Sequence, residues 1–253
     1  MKAPVKVLTE KLKIEPYASV LCYPKASKTE IESRLEELRE HGVTAVEFAG
    51  EASVFNVPVL GKGFVGIVVI AYLGEERAAL KIRRLDADRL GLEHEAQMLA
   101  KANSMQIGPR LIGVSRNFLL MQLIQGCLLP SWLDSHKDKG QVHHVLGEVL
   151  EQCWRLDSIN LDHGELSKAP KHIIISKKQE PFLVDFETAS VNRKPANVTS
   201  MCQFLFTSHG VVAKSVAKVF GEINRAEIVD VLRRYKSERK RENFEDVLQA
   251  CLG

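Results

Sequence analysis

Three glycines and a lysine occur at a spacing that suits the binding of a phosphate group. Gly61, Gly63 and Gly66 fall within residues 61–68, and Lys81 follows further along the chain. Because glycine has no side chain, backbone N–H groups in such a segment can approach a ligand closely. A lysine ammonium then offsets the charge of the phosphate oxygens. The spacing therefore predicts a site for a phosphorylated ligand.

A glycine triplet of this kind also occurs in dinucleotide-binding folds, where the third glycine begins a helix. Here Gly66 leads into residues 67–73, whose β-branched and aromatic side chains predict a strand. Residues 74–77 are typical of a turn, and residues 78–82 predict a second strand. We therefore expect the glycines to close a β-hairpin, with Lys81 on the strand that follows.

Carboxylates that suit the same chemistry occur in two later segments. Glu93 and Glu95 follow Lys81 on a predicted helix near residues 91–103, and either one can pair with the lysine or stay solvated. Asp185 follows the apolar residues 182–184, which predict a short buried strand. A carboxylate at the end of such a strand suits Mg²⁺, which prefers oxygen ligands. The alternative for Asp185 is an ordinary surface aspartate.

The composition excludes several functional classes. The chain has 253 residues and a net charge of +3, which by itself does not indicate nucleic-acid binding. Its five cysteines are scattered and form no C-x-x-C pair, which is typical of a reducing compartment and not of a zinc ribbon. No apolar run has the length of a membrane span, and residues 1–16 lack the apolar stretch of a signal peptide. We expect a cytoplasmic protein without a membrane partner.

The elements that must position these residues follow an α/β order. In residues 1–50, Ser27 or Thr29 caps a predicted helix that ends at His41 and Gly42, and residues 43–48 predict a strand. Two strands separated by Asn117 follow the helix at 91–103. Farther on, the sequence predicts a long amphipathic helix at 141–157, strands at 173–175 and 182–184, and a helical tail.

Taken in order, the motifs resemble those of the RIO and Bud32-type atypical serine/threonine kinases, a predicted kinase group found in archaea. The glycine loop, Lys81 and the segment that begins at Glu95 match the kinase pattern. The run His163-Gly-Glu-Leu is similar to the H-G-D-L catalytic loop, and Asp185-Phe-Glu to the D-F-x metal-binding turn. The ordered set covers roughly residues 55–190, which makes it far more specific than any one motif.

The resemblance implies a protein-kinase-like, two-lobed α/β (α+β) fold with a shortened C-lobe. Residues 1–50 would form an N-terminal extension, 51–125 the N-lobe, and 126–253 a reduced C-lobe with a helical tail. Residues 119–126 resemble the kinase hinge strand, although an ordinary buried strand has the same pattern. Nucleotide binding is then expected at these positions: Gly61, Lys62, Gly63, Phe64, Val65, Gly66, Val68, Lys81, Glu95, Met121, Gln122 and Leu123.

The resemblance also assigns catalytic roles to Glu165, Lys81 and Asp185, and metal ligation to Asp185 and His172. Glu165 stands where the family has an aspartate, and its extra methylene shifts the substrate geometry. His172 falls near the position of the family's second metal ligand, an asparagine, once two inserted residues are allowed. A structural role for His172 is equally compatible with the sequence. Asp162 is an alternative base that matches no family position.

Two further metal or catalytic hypotheses find little support. Ser167, His163 and Asp185 contain the residue types of a hydrolase triad, but no G-x-S-x-G elbow accompanies them. His143 and His144 lie on the long predicted helix without a matching cysteine or carboxylate cluster.

A basic segment near the C-terminus has two interpretations. A solvated helix face is the usual explanation of such a segment. The alternative is a weak contact with RNA or the ribosome, because phosphate binding needs clustered cations. The basic residues are Arg233, Arg234, Lys236, Arg239, Lys240 and Arg241.

We expect an atypical serine/threonine kinase that uses ATP and Mg²⁺ and transfers the γ-phosphate to a protein hydroxyl, including its own. Alternatives are an ATP-binding regulatory module or ATPase within a larger assembly, and a small-molecule kinase. No A-P-E motif follows Asp185, so the helices that hold peptide substrates in typical kinases are largely missing. The acceptor, protein or small molecule, is therefore unknown from the sequence.

Overall fold

The computed structural model describes residues 3–221 and 224–253, so two positions of the predicted extension and two of the helical tail lie outside the described residues. The chain divides into two compact units. The first comprises Met1–Gln97 and Arg110–Leu123, and the second Met98–Pro109 and Ile124–Gly253. The mixed α/β class is confirmed and is compatible with a kinase-like two-lobed fold. The segment boundaries at residues 50 and 125 stay predictions.

The first unit is built on an antiparallel sheet. Its strands, in chain order, are β1 (Val5–Leu8), β2 (Ala45–Phe48), β3 (Ala52–Val54), β4 (Val57–Val59), β5 (Gly61–Lys62), β6 (Gly66–Leu73), β7 (Glu76–Arg83), β8 (Leu111–Val114) and β9 (Phe118–Gln122). The main sheet has the order β1-β2-β6-β7-β9-β8, with β5 paired to β6. Strands β3 and β4 form a separate hairpin. The predicted hairpin of residues 67–82 is confirmed as β6 and β7.

The helices of the first unit precede the glycine hairpin, except for one that follows it. They are α1 (Tyr17–Leu21), α2 (Lys28–Glu40) and the beginning of α3 (Glu93–Asn103), whose last residues belong to the second unit. The Ser27 hydroxyl accepts the Glu30 N–H at 3.3 Å, which makes Ser27 the N-cap of α2. Gly42 follows the helix with φ +72°, a conformation that favours glycine.

A buried polar network ties α2 to the end of the strand that carries Lys81. The Arg34 guanidinium is fully buried, and its Nη1 donates to the carbonyls of Leu21 and Arg83 at 2.7 Å each. Its Nη2 donates to Asn117 Oδ1 at 3.1 Å, and this oxygen also accepts from Arg83 Nε at 3.0 Å. The Asn117 amide nitrogen donates to Glu37. Residues 3–50 are therefore an integral part of the first unit, because buried charges of this kind require all their partners.

The second unit is mainly helical. A three-stranded sheet of β10 (Gly126–Leu128), β11 (Ile173–Ser176) and β12 (Pro181–Leu183) accompanies its helices. These are α4 (Leu129–Ser135), α5 (Lys139–Ser158), α6 (Asn197–Cys202), α7 (Val211–Phe220), α8 (Arg225–Ser237) and α9 (Arg241–Leu252). The apolar face of α5 is buried, as its helical periodicity predicts: Val142, Val145, Leu146, Val149, Leu150 and Cys153.

A buried carboxylate on α5 connects three helices of the second unit. Asp157 accepts hydrogen bonds from the Tyr235 hydroxyl at 2.8 Å and from the Asn197 amide nitrogen at 2.8 Å. Burial raises the pKa of the Asp157 carboxyl, and these hydrogen bonds offset part of that effect. The contacts fasten α6 and α8 to α5.

All five cysteines of the chain have free thiols. Among the described helices, none combines the length and apolar character that crossing a bilayer requires.

Candidate functional site

The glycines of the first unit form a tight hairpin turn between β5 and β6. Gly61 pairs with Val68 across the hairpin, and the Gly63 N–H donates to the Gly66 carbonyl at 2.8 Å. Phe64 lies at the tip of the turn and is almost fully exposed. The glycine loop thus has the hairpin geometry that the sequence predicts.

Gly66 makes room for the side chain of Lys81. Lys81 pairs with Val68 in the β6–β7 register. A Cβ atom at Gly66 would lie 2.8 Å from Lys81 Cγ and 3.0 Å from its Cε. A Cβ at Gly61 would meet no atom within 4 Å. Glycine at 66 is therefore required by packing, whereas the open space at 61 leaves the backbone accessible.

Lys81 forms a buried ion pair with Glu95. Its Nζ lies 2.7 Å from Glu95 Oε2, and the two side chains are only 6% and 5% exposed. The structure thus contains the pair with Glu95, which the sequence favours over Glu93. A buried ion pair is strongly destabilised when one partner is removed, because the other charge is left without compensation. Their roles toward a nucleotide stay predictions.

Two cationic side chains hold the glycine loop. The Arg84 Nη1 donates to the Gly63 carbonyl at 2.7 Å, and Asp86 binds the same guanidinium at 2.9 and 2.7 Å. Lys62 Nζ donates to the Tyr23 hydroxyl at 3.0 Å. Arg84 and Asp86 had no predicted role, although they belong to the charged cluster that directly follows the hairpin strand.

Strand β9 supplies the residues predicted to contact the adenine. Gln122 donates its backbone N–H to the Arg110 carbonyl at 2.8 Å. This N–H is therefore occupied, and the predicted adenine contact of Gln122 can use only its carbonyl. Leu123 follows the strand and is partly buried. Met121 is partly buried and packs on an apolar cluster of Val65, Leu92, Ala96 and Leu119.

In the second unit, Glu165, His172 and Asp185 lie together. His172 Nε2 is 3.3 Å from Glu165 Oε2 and 3.7 Å from Asp185 Oδ2. The three atoms lie within 4.8 Å of one another, a spacing that suits a metal ion. His172 directly precedes β11 and Asp185 closely follows β12, and the Val184 N–H donates to the His172 carbonyl at 3.0 Å. The antiparallel pairing of these strands brings the ligands together.

Asp185 has a left-handed backbone conformation. Its φ is +70°, which is uncommon outside glycine but tolerated by aspartate and asparagine. The following Phe186 is buried. Gly108 also has a positive φ, and a Cβ there would lie 2.9 Å from the Phe186 ring. Non-glycine residues with a positive φ recur at functional sites, and the role of Asp185 toward a metal stays a prediction.

His163 anchors the loop before Glu165. Its ring Nε2 lies 3.1 Å from the Val184 carbonyl oxygen. Its backbone N–H donates to Asn197 Oδ1 at 2.9 Å. Burial lowers the pKa of the His163 imidazole to about 4, so the ring is neutral at pH 7. Gly164 has φ +92°, and a Cβ there would lie 2.6 Å from the Arg193 guanidinium. These contacts give His163 a structural role in the loop before Glu165.

Asp162 has structural partners instead of an open catalytic position. Its Oδ2 accepts from Arg193 Nε at 2.9 Å and its Oδ1 from the Ala196 N–H at 3.1 Å. Its backbone exchanges hydrogen bonds with Ser190 at 2.9 and 2.8 Å. The carboxylate is thus engaged in holding the chain that follows Asp185.

The basic segment of α8 and α9 forms ion pairs within the second unit. The Arg241 guanidinium binds both carboxylate oxygens of Glu151 at 2.8 Å. This pairing offsets much of the positive charge of the segment, and the RNA contact stays a prediction. The other pairs are Arg233 with Asp230, Arg234 with Asp246, and Lys240 with Glu238.

Comparison with known proteins gives partial similarities. No family model matches the sequence. The chain is 28% identical to the uncharacterized protein MJ1211 of Methanocaldococcus jannaschii over 96 residues, which are 38% of this chain and 79% of that protein. It is 27% identical to the EKC/KEOPS complex subunit BUD32 of Encephalitozoon cuniculi over 121 residues, or 47% of this chain and 58% of the relative. The chain thus spans less than two thirds of BUD32, and it has weak, partial similarity to this atypical kinase of the RIO/Bud32 type.

Proposed function

We propose that the protein is an ATP-dependent phosphotransferase, an atypical serine/threonine kinase that transfers the γ-phosphate of ATP to a protein hydroxyl. The observation that carries this proposal is the buried ion pair of Lys81 and Glu95 beside Gly66. Kinases use a lysine on the strand after the glycine loop, oriented by a glutamate, to hold ATP phosphates. The partial similarity to BUD32 supports the same class.

The first unit provides the groups for nucleotide binding. Gly61 and Gly63 carry no side chain that would keep a phosphate away from the backbone of the loop, and the space beside Gly61 is open. Lys81 contributes positive charge, and Glu95 fixes the position of its ammonium. Met121 and Leu123 contact the adenine ring.

The second unit provides the groups for a divalent cation. Asp185 offers a carboxylate oxygen, which Mg²⁺ prefers, and it lies beside His172 and Glu165, so this group of residues fits the ion. His172 adds a nitrogen donor, to which Mg²⁺ is less suited. A cation held by Asp185 and His172 would supply positive charge for the phosphate oxygens of a bound nucleotide.

The chemistry requires a hydroxyl acceptor and a proton acceptor. The acceptor oxygen bonds to the γ-phosphorus while the bond from that phosphorus to the ADP oxygen breaks. Glu165 accepts the hydroxyl proton, and its side chain is 43% exposed, so an acceptor can reach it. Lys81 stabilises the negative charge on the phosphates as the transfer proceeds.

A second candidate is an ATPase or ATP-binding subunit. Glu165 and His172 replace the aspartate and asparagine of the kinase pattern, which favours slower transfer to a protein. The relative BUD32 is by name a subunit of the EKC/KEOPS complex. Water would then be the acceptor, or ATP would bind without being consumed.

Calorimetric titration with a non-hydrolysable ATP analogue tests nucleotide binding. Wild type is expected to bind, and the double variant Lys81→Met/Glu95→Leu, which removes both charges of the buried pair, to bind at least about tenfold more weakly, because a charge-assisted contact to phosphate is lost. Lys28→Ala removes an exposed lysine of α2 in the same unit and is expected to leave affinity unchanged. Absence of binding by the wild type, or equal weakening by both variants, contradicts the proposal.

A further inference from the structure

We propose that His172 is a nitrogen ligand of the metal and that it gives this site a preference for Mn²⁺ over Mg²⁺. The inference rests on the proposed function, because it names the ion used by the same phosphotransferase site. Three observations carry it: the spacing of the donor atoms, the chemistry of imidazole, and a neighbouring histidine with a complementary ring nitrogen.

The spacing of the donors fits one ion. His172 Nε2 and Asp185 Oδ2 are 3.7 Å apart. Two donors that bind one ion at about 2.1 Å each lie about 3–4 Å from each other. The β11–β12 pairing, with its 3.0 Å hydrogen bond between Val184 and His172, fixes both positions through the backbone. The two donors can therefore bind an ion without a rearrangement of the chain.

The chemistry of the donors selects the ion. Mg²⁺ favours oxygen ligands, whereas imidazole nitrogen raises the relative affinity for first-row transition ions. Mn²⁺ accepts carboxylate, phosphate and imidazole ligands together, so it suits Asp185, His172 and the phosphates of a nucleotide. An asparagine at position 172 would offer an amide oxygen, which gives no preference for Mn²⁺ over Mg²⁺.

A neighbouring histidine supplies the partner that a ligating imidazole needs. Such a ligand usually donates its other ring N–H to an acceptor. Among the described residues, buried His172 Nδ1 and buried His163 Nδ1 have no hydrogen-bond partner, and the two ring centroids are 5.6 Å apart. His163 Nε2 faces the Val184 carbonyl, so it carries the hydrogen and leaves Nδ1 of the neutral ring as an acceptor.

Binding of a metal by His172 would give the Nδ1 atoms of His172 and His163 a hydrogen bond to each other. With Nε2 as the ligand, the hydrogen of the neutral His172 ring would be on Nδ1, and His163 Nδ1 would accept it directly or through one water. Glu165 Oε2 lies 3.3 Å from the same Nε2. With Nε2 on the ion, Glu165 would be left to the acceptor hydroxyl, and His163 would act as a positioning residue for His172.

Electron spin echo spectroscopy of bound Mn²⁺ tests this assignment directly. The nucleotide-free protein is loaded with Mn²⁺ alone, and the spectrum is repeated with a non-hydrolysable ATP analogue. We expect modulation from a coordinated nitrogen in both samples. We also expect half-displacement of Mn²⁺ to require at least about a tenfold excess of Mg²⁺. Bound Mn²⁺ without nitrogen modulation overturns the assignment, whether or not any variant folds.

Matched variants separate His172 from other histidines. His172→Asn is expected to lose the nitrogen modulation and about tenfold in Mn²⁺ affinity, with Mg²⁺ affinity changed less than about twofold. His144→Asn, an exposed position on α5, is expected to change neither property. Modulation that persists in His172→Asn contradicts the inference. A nitrogen signal from His172 without binding of the ATP analogue supports the metal site and contradicts the proposed phosphotransferase.

Discussion

The two units place their charged groups in opposite environments. In the first, Lys81 and Glu95 are buried, opposite in sign and paired at 2.7 Å. In the second, Asp185 and Glu165 are 39% and 43% exposed, equal in sign, and grouped around His172. The first arrangement is electrostatically complete without a ligand, whereas the second gains from a bound cation. We therefore expect Lys81 and Glu95 to contribute to folding, and Glu165 and Asp185 to contribute mainly to function.

The largest expected effect is loss of stability when the buried pair is broken. Lys81→Met leaves the Glu95 carboxylate buried without its cation, and we expect the free energy of unfolding to fall by about 3–5 kcal/mol. The double variant Lys81→Met/Glu95→Leu is expected to recover most of this loss, since no uncompensated charge remains. Urea unfolding measures both. If the single and the double variant are equally stable, the buried charge of Glu95 does not depend on Lys81, and the structural role of the pair is contradicted.

The exposed carboxylate of the second unit is expected to behave in the opposite way. Glu165→Gln keeps the size of the side chain and removes the proton acceptor, so turnover falls about 100-fold or more. The free energy of unfolding changes by less than about 0.5 kcal/mol, because the position is exposed. Steady-state kinetics and urea unfolding of one preparation give both values. Unchanged turnover excludes Glu165 as the base.

The buried histidine of the second unit gives stability a pH dependence. The pKa of His163 falls from 6.5 when unfolded to about 4 when folded, so the unfolded chain binds more protons between these values. Its contribution is present above pH 6.5 and is lost as the pH falls toward 4. We expect a loss of about 2 kcal/mol between pH 8 and pH 5.

His163→Asn isolates this contribution. Burial raises the pKa of Asp157, an effect of opposite sign that both proteins share. The difference between wild type and variant in urea midpoint across the pH range therefore reports His163. If the urea midpoints of the two proteins change with pH in parallel, burial does not lower the pKa of His163, and the prediction is wrong.

A smaller effect is expected from the packing of the glycine hairpin. Gly66→Ala places a methyl group against the Lys81 side chain, and we expect a loss of about 1–2 kcal/mol together with weaker nucleotide binding. Gly61→Ala has open space and is expected to keep its stability. Thermal unfolding and nucleotide titration compare the two. If Gly66→Ala is as stable as the wild type and binds the nucleotide equally well, glycine is not required at position 66.

Much of the fold was predictable because its signals are local. The β6–β7 hairpin and its lysine follow from contiguous residues, and Ser27 and Gly42 mark the ends of α2. Strand β1 was not predicted; it has only four residues, of which Val7 alone is buried. The Arg34–Asn117 contact joins positions 83 residues apart, so no local pattern indicates that residues 3–50 belong to the first unit.

The candidate site was predictable in its residue types but less so in its contacts. Glu165, His172 and Asp185 follow from motif positions, and the structure brings them together. The partners of Asp162 and the approach of His163 to His172 depend on chain segments that meet only in the folded unit. Likewise, nothing in the sequence places Arg84 against the Gly63 carbonyl.

The central claim is transfer of the γ-phosphate by this protein. The most direct measurement incubates the protein with γ-labelled ATP and Mg²⁺ or Mn²⁺, and compares wild type with Asp185→Asn. Asparagine tolerates the φ of +70° at this position, so the variant is expected to fold. The account predicts label on a hydroxyl of the wild-type protein or of an added protein acceptor, and none with the variant. Label released only as inorganic phosphate, or equal labelling by both proteins, would contradict it.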